Sequence, residues 1–388
     1  MIQALELTGQ AGLADEEESG EKVLGLFTGL NSRAHILRMH HGEMHLDVWV
    51  SSGLRRVPES RMVRIVPRKA PPFEGQIVVA QVDSIGKNAR VELPTGRAKA
   101  LHAGDVFAAV FGNRYATNQF EGYARAEGDM CEMLSMGGLC GLVVSAHSSM
   151  KEPTKLRLLG ALADQDGQPL YMRDFALPPV TTKNRPHVTA VCGTTMDSGK
   201  TYTAMSVLRG LVQAKRSVAS IKLTGTACCQ DAWKMRDAGA TLVFDFVDGG
   251  HASTYLCSIK DLMTLFETLR SQAAAQGVQH IVMEIADGLL QRETAALLGH
   301  RPFLSAVDSW VLAAADPLGA AGALAILRRA GLEPRAISGL LTCSPLAMRE
   351  AEAATGVRCL TTESLMAGAL SEELIASAEA GARKEGAA

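Results

Sequence analysis

Between residues 188 and 214 an apolar run, Val188-Thr189-Ala190-Val191-Cys192, passes through Gly193-Thr194-Thr195-Met196-Asp197-Ser198-Gly199-Lys200-Thr201 into an amphipathic stretch. Few local patterns restrict a fold so tightly. Gly-Lys-Thr opening a helix directly after a buried strand is the signature of a phosphate-binding loop, or P-loop. A triphosphate packs several negative charges into a small volume. Loop N–H groups and the positive end of the helix dipole meet those charges, and a lysine ammonium reaches the β- and γ-phosphates. The pattern assigns Gly193, Thr194, Thr195, Met196, Asp197, Ser198, Gly199, Lys200, Thr201 and Tyr202 to nucleotide binding. Lys200 takes a catalytic role and the Thr201 hydroxyl a place on Mg²⁺. Five residues separate Gly193 from Gly199 instead of the usual four, so Thr194 stands where the first consensus glycine would. A chance Gly-Lys-Thr at a helix start is the competing reading, and the flanking strand and helix weigh against it.

The texture around this loop extends to the end of the chain. Apolar strands at 188–192, 218–223, 241–246, 280–285, 309–314, 336–341 and 357–360 alternate with helical patterns at 199–214, 262–276, 291–298, 318–330 and 345–354. Such alternation predicts an α/β fold, a P-loop NTPase domain with a mostly parallel sheet and helices on both faces. The preceding part reads differently. Strands are expected at 35–40 and 44–50 around a glycine turn, and at 76–82 and 89–93 around Gly86-Lys87-Asn88. Evenly spaced short strands suggest a β-rich N-terminal domain of the kind that closes as a barrel. The expected organisation is a flexible acidic segment at 1–22, the β-rich domain at 23–180, the P-loop NTPase domain at 181–372 and a frayed tail at 373–388.

Composition sets the outer limits. The 388 residues are 47% hydrophobic, 21% charged and 5% aromatic, which excludes a disordered chain and a disulfide-stapled miniprotein. A net charge of −2 without a Lys/Arg block argues against a nucleic-acid partner. The longest apolar stretch, 310–327, is broken by Asp316 and Pro317, so no membrane partner is expected. The first residues lack the basic-then-apolar order of a signal peptide, and eight irregularly spaced cysteines read as reduced thiols. A cytoplasmic protein is the expectation.

The loop Gly-Thr-Thr-Met-Asp-Ser-Gly-Lys-Thr resembles that of dethiobiotin synthetases, where Gly-Thr is followed by four residues and Gly-Lys-Thr. The resemblance runs in order from about 188 to 370. Ile221-Lys222-Leu223-Thr224-Gly225-Thr226 resembles that family's Lys-Pro-Val-x-Ser-Gly segment, which implies that Lys222 contacts the transferred phosphoryl group and substrate and that Thr226 lies in the substrate site. Gln230-Asp231-Ala232-Trp233 is similar to its aspartate-bearing helix start, and Val282-Met283-Glu284-Ile285-Ala286-Asp287-Gly288 to its strand-end glutamate. Asp231 and Glu284 are thereby implied as Mg²⁺ ligands beside Thr201, with Lys222 catalytic and Lys222, Thr226 and Asp287 binding substrate. The proline after Lys222 and the glycine run after Glu284 are missing here, and residues 23–175 have no counterpart. A substrate other than that family's own is implied.

Each companion residue has a plainer reading. Lys222 also suits a solvated strand end, and Asp231 a helix N-cap, with Asp237 and Asp245 as rival ligands. Residues 245–255 form either a pocket wall or a loop of Asx turns. His40, His41 and His45 suit a surface hairpin better than a metal site, since His40 and His41 point to opposite faces. Gly137-Gly138-Leu139-Cys140-Gly141 reads as a tight turn sooner than an anion cradle, and Cys228-Cys229 as packing sooner than a reactive thiol. Ser135, Ser145 and His147 form no defensible triad.

Three functions fit this pattern. The first is an ATP- and Mg²⁺-dependent ligase or synthetase that phosphorylates a small carboxylate or carbamate. The second is a nucleotide-driven switch or adaptor acting on a protein, and the third a small-molecule kinase. Partition-type ATPases carry an extra lysine early in the loop, where this chain has Thr194 and Thr195. No Asn/Thr-Lys-x-Asp follows between 312 and 345 to read guanine, so ATP is expected over GTP. A homodimer is implied by resemblance alone.

Overall fold

Short apolar runs punctuated by glycine do become strands. In the computed structural model residues 36–42 and 44–385 are described, with side chains to 381. The acidic segment at 1–22 lies outside the described residues, as do His35 and Glu43 of the first hairpin. Eleven strands make up the N-terminal half among the described residues. They are β1 (Ile36–His41), β2 (Met44–Val50), β3 (Arg64–Val66), β4 (Ile77–Ser84), β5 (Arg90–Glu92) and β6 (Ala98–Ala100). There follow β7 (Val106–Phe111), β8 (Phe120–Tyr123), β9 (Met130–Met133), β10 (Leu139–Ala146) and β11 (Lys155–Ala163).

Nine of these join one sheet in the order β1-β2-β7-β4-β11-β9-β10-β8, with β3 on β11. An additional pairing of β10 with β7 closes the ring β7-β4-β11-β9-β10. Closure removes the exposed edges that an open sheet would leave. The period of two explains why β7 is buried throughout and β4 over its first four residues. Val78, Ala80, Val82, Phe107, Ala109 and Phe111 fill the ring's interior. Their neighbours Ile77, Val79, Val106, Ala108 and Val110 face outward into the core shared with the rest of the chain.

The expected hairpin around Gly86 does not form. β4 pairs with β7 and β11, while β5 pairs with β6. Gly86 serves a close approach instead of a hairpin turn: a Cβ there would lie 2.1 Å from the Glu152 carbonyl oxygen. Its N–H donates to Thr154 Oγ1 at 2.9 Å. The β1–β2 hairpin does form, with His40 opposite His45.

The second half holds β12 (His187–Gly193), α1 (Lys200–Gln213), β13 (Val218–Lys222), α2 (Gln230–Asp237), β14 (Leu242–Asp245) and α3 (Ile259–Ala275). It continues with β15 (His280–Glu284), α4 (Arg292–Leu298), α5 (Arg301–Ser305), β16 (Ser309–Ala313), α6 (Pro317–Arg329) and β17 (Ala336–Ser338). Helices α7 (Pro345–Thr355), α8 (Thr362–Met366) and α9 (Ser371–Glu385) close the chain. The six strands pair in parallel in the order β14-β13-β15-β12-β16-β17. Alternate strand residues serve opposite faces. Val191, Val218, Val243, Val282 and Val311 pack with Leu208 and Leu211 of α1, whereas Ala190, Ile221, Phe244, Met283 and Leu312 pack with Phe266 of α3 and Leu324 of α6. Both faces are covered, as a parallel sheet requires.

Two expectations fail at the C-terminal end. Residues 357–360 form no strand, only the bridge Ile337–Cys359, because β17 is too short to carry a ladder beyond it. Residues 373–388 were expected to fray, but the described part is helical to Glu385 and Leu374 is buried against the α1 face. Among the described residues no helix is long and apolar enough to cross a membrane.

The described residues form one compact unit, so the expected boundary near 180 is not a gap between bodies. A continuous apolar core joins Val50, Leu54, Val110 and Leu139 of the first half to Ala227, Phe246 and Ala252 of the second. Two polar locks reinforce it. Arg55 Nη2 reaches Asp245 Oδ1 at 2.6 Å and Asp248 Oδ2 at 2.9 Å, and Glu92 Oε2 accepts from Cys229 N at 2.8 Å.

Candidate functional site

Strand order decides where a ligand can sit. The chain leaves β12 toward β13 on one side and leaves β15 toward β16 on the other, so the crevice beyond the ends of β12 and β15 is the reversal point of the sheet. The loop 193–201 emerges there. Gly193 ends β12, and a Cβ on it would lie 2.4 Å from Ser198 Oγ. Gly199 caps α1 in the left-handed region at φ 94° and touches Gly339. Gly339, itself at φ 94°, leaves no room for a side chain beneath the Ser198 carbonyl. Leu340 N donates to Ser198 O at 3.0 Å, and Thr194 N to Ala313 O at 3.0 Å, so the loop is held from below by β16 and the turn after β17. The first N–H groups of α1 have no intrahelical acceptors and point toward the crevice.

A cavity of about 410 Å³ opens at this place, a size suited to a small ligand. Met196, Asp197, Gly199, Lys200, Thr201 and Tyr202 of the expected nucleotide set line it. Gly193, Thr194, Thr195 and Ser198 lie behind as support. The Lys200 ammonium donates to the Thr195 carbonyl at 2.6 Å. Burial lowers its pKa, an effect that Glu284 and Asp287 partly offset.

The residues brought in by resemblance gather at the same cavity. Lys222, Thr226, Asp231, Glu284 and Asp287 all line it. Lys222 Nζ lies 2.5 Å from Asp231 Oδ2 and 3.3 Å from Glu284 Oε1. Burial opposes its charge, but Glu284 and Asp231 outweigh burial and raise its pKa. Thr201 Oγ1 donates to Glu284 Oε1 at 3.2 Å, and Glu284 Oε2 is buried with no hydrogen-bond partner. A buried, unsatisfied carboxylate oxygen beside a hydroxyl is the hard-oxygen donor set that Mg²⁺ prefers. Asp231 differs from expectation here: both its oxygens are taken, one by Lys222 and the other by Lys234 at 3.3 Å. No group of three or more metal-ligating side chains gathers among the described residues.

The rivals fall away for local reasons. Asp237 is exposed at the far end of α2. Asp245 serves Arg55 and the Val247 N–H. Residues 245–255 do not line the cavity but back it: Thr254 Oγ1 accepts from Gly225 N, and the Tyr255 ring lies 5.5 Å from that of Tyr115. Burial, with Glu92, raises the pKa of both vicinal thiols, Cys229 to about 12. Gly137 is a docking point, since a Cβ there would lie 2.1 Å from Ala227 O. Ser135 Oγ donates to that same carbonyl, Ser145 to Glu121, and His147 contacts Ser149, so no triad forms.

Sequence reasoning missed the contribution of the first half. Arg114, Tyr115 and Ala116, just after β7, form part of the cavity wall. Asn118 Nδ2 donates to Asp197 Oδ2 of the loop at 2.8 Å. No motif marks this segment. Only the Gly112-Asn113 pair ending an apolar run hints that the chain turns there.

Asp287 stands at φ 61°, a strained setting for a side chain, and Asp197 at φ 62° lines the same cavity. Burial pushes the Asp287 carboxyl up to about 6, against the pull of Lys200 and Lys222. The folded state thus holds a proton that the unfolded chain, with its carboxyl near 3.8, releases. The charge costs the fold stability above pH 6, and the cost fades as pH falls through 6 toward 3.8. Asp287→Asn is expected to stabilise the protein at pH 8 by up to about 3 kcal/mol. At pH 4 the gain should vanish. Equal gains in melting temperature at both pH values would show that charge is not the cause.

The strand, loop and helix at 187–213, set in a parallel sheet with support from β16, have the arrangement of a P-loop NTPase fold. No known protein family and no curated protein matches the chain. Among solved structures it is similar to the signal recognition particle 54 kDa protein of Aeropyrum pernix K1 in complex with GDP, at 18% identity over 52% of this chain and a TM-score of 0.33. This chain spans 50% of the length of that one. A DUF1611 family protein of Anabaena variabilis matches at 15% identity over 54% of this chain and 65% of its own, with a TM-score of 0.36. A ParA family ATPase of Chlorobium tepidum matches at 12% identity over 48% and 90%, with a TM-score of 0.29.

Proposed function

We propose that this chain is an ATP- and Mg²⁺-dependent enzyme that transfers a phosphoryl group to a small acceptor, a carboxylate or carbamate, as a ligase or synthetase does. One observation carries the reading: a second lysine, the partly buried Lys222, is held 3.3 Å from Glu284 in the same cavity as the loop lysine. Hydrolysis and transfer to an acceptor both spread charge over the migrating group's oxygens, and both gain from a second cation. The cavity of about 410 Å³ that Lys222 lines supports an acceptor larger than water.

In this reading the acceptor oxygen attacks the γ-phosphorus, the bond to the bridging oxygen breaks, and its electron pair leaves with ADP. Lys200 and Lys222 neutralise the migrating group from two sides. Thr201 and Glu284 would hold Mg²⁺, which would supply charge neutralisation for the phosphates. Asp231 keeps Lys222 charged and oriented, and Thr226 and Asp287 contact the acceptor.

The test is incubation of the purified protein with Mg²⁺, ATP or GTP, and a mixture of small acids and amines, followed by mass spectrometry. The expected result is acid-dependent ADP formation, with a phosphorylated or condensed product and ATP preferred to GTP. Slow turnover indifferent to every acid, yet stimulated by a protein, would replace this reading with the switch. A stable phosphate ester on a hydroxyl would make the enzyme a kinase.

A further inference from the structure

Arg114 is an anomaly among the buried arginines. Its backbone is fixed by hydrogen bonds in both directions with Gly122, at 2.8 and 3.1 Å, and the residue is only 7% exposed. Its Nη2 donates to Gln119 Oε1 at 2.8 Å. Its Nε and Nη1 are buried and have no partner. Arg55, similarly enclosed, has two carboxylates within 3 Å. Arg114 has none: Asp287 and Cys228 favour its charge only from a distance, and burial lowers its pKa to about 10. A guanidinium kept dry with donors unspent is costly unless an anion completes it. The cavity that it lines offers room for such an anion.

We infer that Arg114 anchors a carboxylate of the acceptor, distinct from the oxygen that receives the phosphoryl group, so that the acceptor carries two acidic groups. This inference rests on the phosphoryl-transfer reading above. Guanidinium geometry suits a carboxylate better than an ammonium does. The loop end of the cavity already supplies Lys200 and Lys222 for phosphates, and Arg114 comes from the other half of the chain, beside Tyr115. A carboxylate clamped by Arg114 has its lone pairs engaged and is a poor nucleophile, so the attacking oxygen belongs to a second group. The link from Asn118 to Asp197 keeps this wall in register with the loop.

The experiment uses the full chain and its Arg114→Gln and Arg114→Lys variants, saturated with Mg²⁺ and a non-hydrolysable ATP analogue. Calorimetric titration compares succinate, glutarate and adipate with their monomethyl esters, and melting curves confirm that each variant folds. For at least one diacid, wild type should bind the acid about tenfold more tightly than its monoester. Arg114→Gln should bring the two within about twofold, and Arg114→Lys should keep part of the preference. The analogue should bind all three proteins alike. The inference is overturned if wild type shows no preference for any diacid, or if the preference survives in Arg114→Gln. It is also overturned if Arg114→Gln weakens the analogue instead, which would make Arg114 a phosphate contact. Failure of the analogue to bind wild type is a different result, and removes the nucleotide reading itself.

Discussion

Arg55→Ala is expected to cost about 3–5 kcal/mol and to lower the melting temperature by roughly 5–10 °C. Its guanidinium joins the turn after β2 to Asp245 and Asp248 beyond β14, and side-chain exposure is 10%, 6% and 4% for the three. Burial opposes the arginine's charge, yet the two carboxylates raise its pKa well above the usual value. Removing the cation leaves two acids side by side in a dry interface, and that residue of unpaired charge is what destabilises. The triple variant Arg55→Met, Asp245→Asn, Asp248→Asn, which removes all three charges together, should recover much of the loss. A fall of less than about 2 °C on Arg55→Ala would place the cluster among solvent-screened pairs and weaken the case for a rigid union of the halves.

Lys200→Ala should lower turnover by about a thousandfold or more and weaken the ATP analogue by at least about tenfold. The same change should leave the melting temperature unaltered or slightly raised. Lys200 is 6% exposed and its ammonium donates to a loop carbonyl, so burial that Glu284 and Asp287 offset only in part is a burden that alanine lifts. Opposite signs for activity and stability are the mark of a residue kept for its chemistry. Full turnover in the variant would remove the loop from the mechanism.

The parallel half was legible because its information is local. Runs such as His280-Ile281-Val282-Met283-Glu284 are apolar on both faces and end in the residue the site uses. Gly193 of the loop is fixed by contacts with its near neighbours Ser198 and Lys200, although Gly199 meets the distant Gly339. The β-rich half hides its pairing because its contacts are distant in sequence. β4 finds β11 more than seventy residues away, and Gly86, which reads as a hairpin turn, is spent on an approach to Glu152. Arg55 and Arg114 carry no signal at all in the chain. Their meaning is the acid, or the absence of one, that folding places beside them.

At Gly137 the two halves meet backbone to backbone, with no room even for a methyl group against Ala227. A seam that tight cannot act as a hinge. Whatever enters and leaves the crevice therefore passes side chains at its rim, such as the half-exposed Tyr202 ring beneath Lys234, and a change there alters access without any movement of one half of the chain against the other.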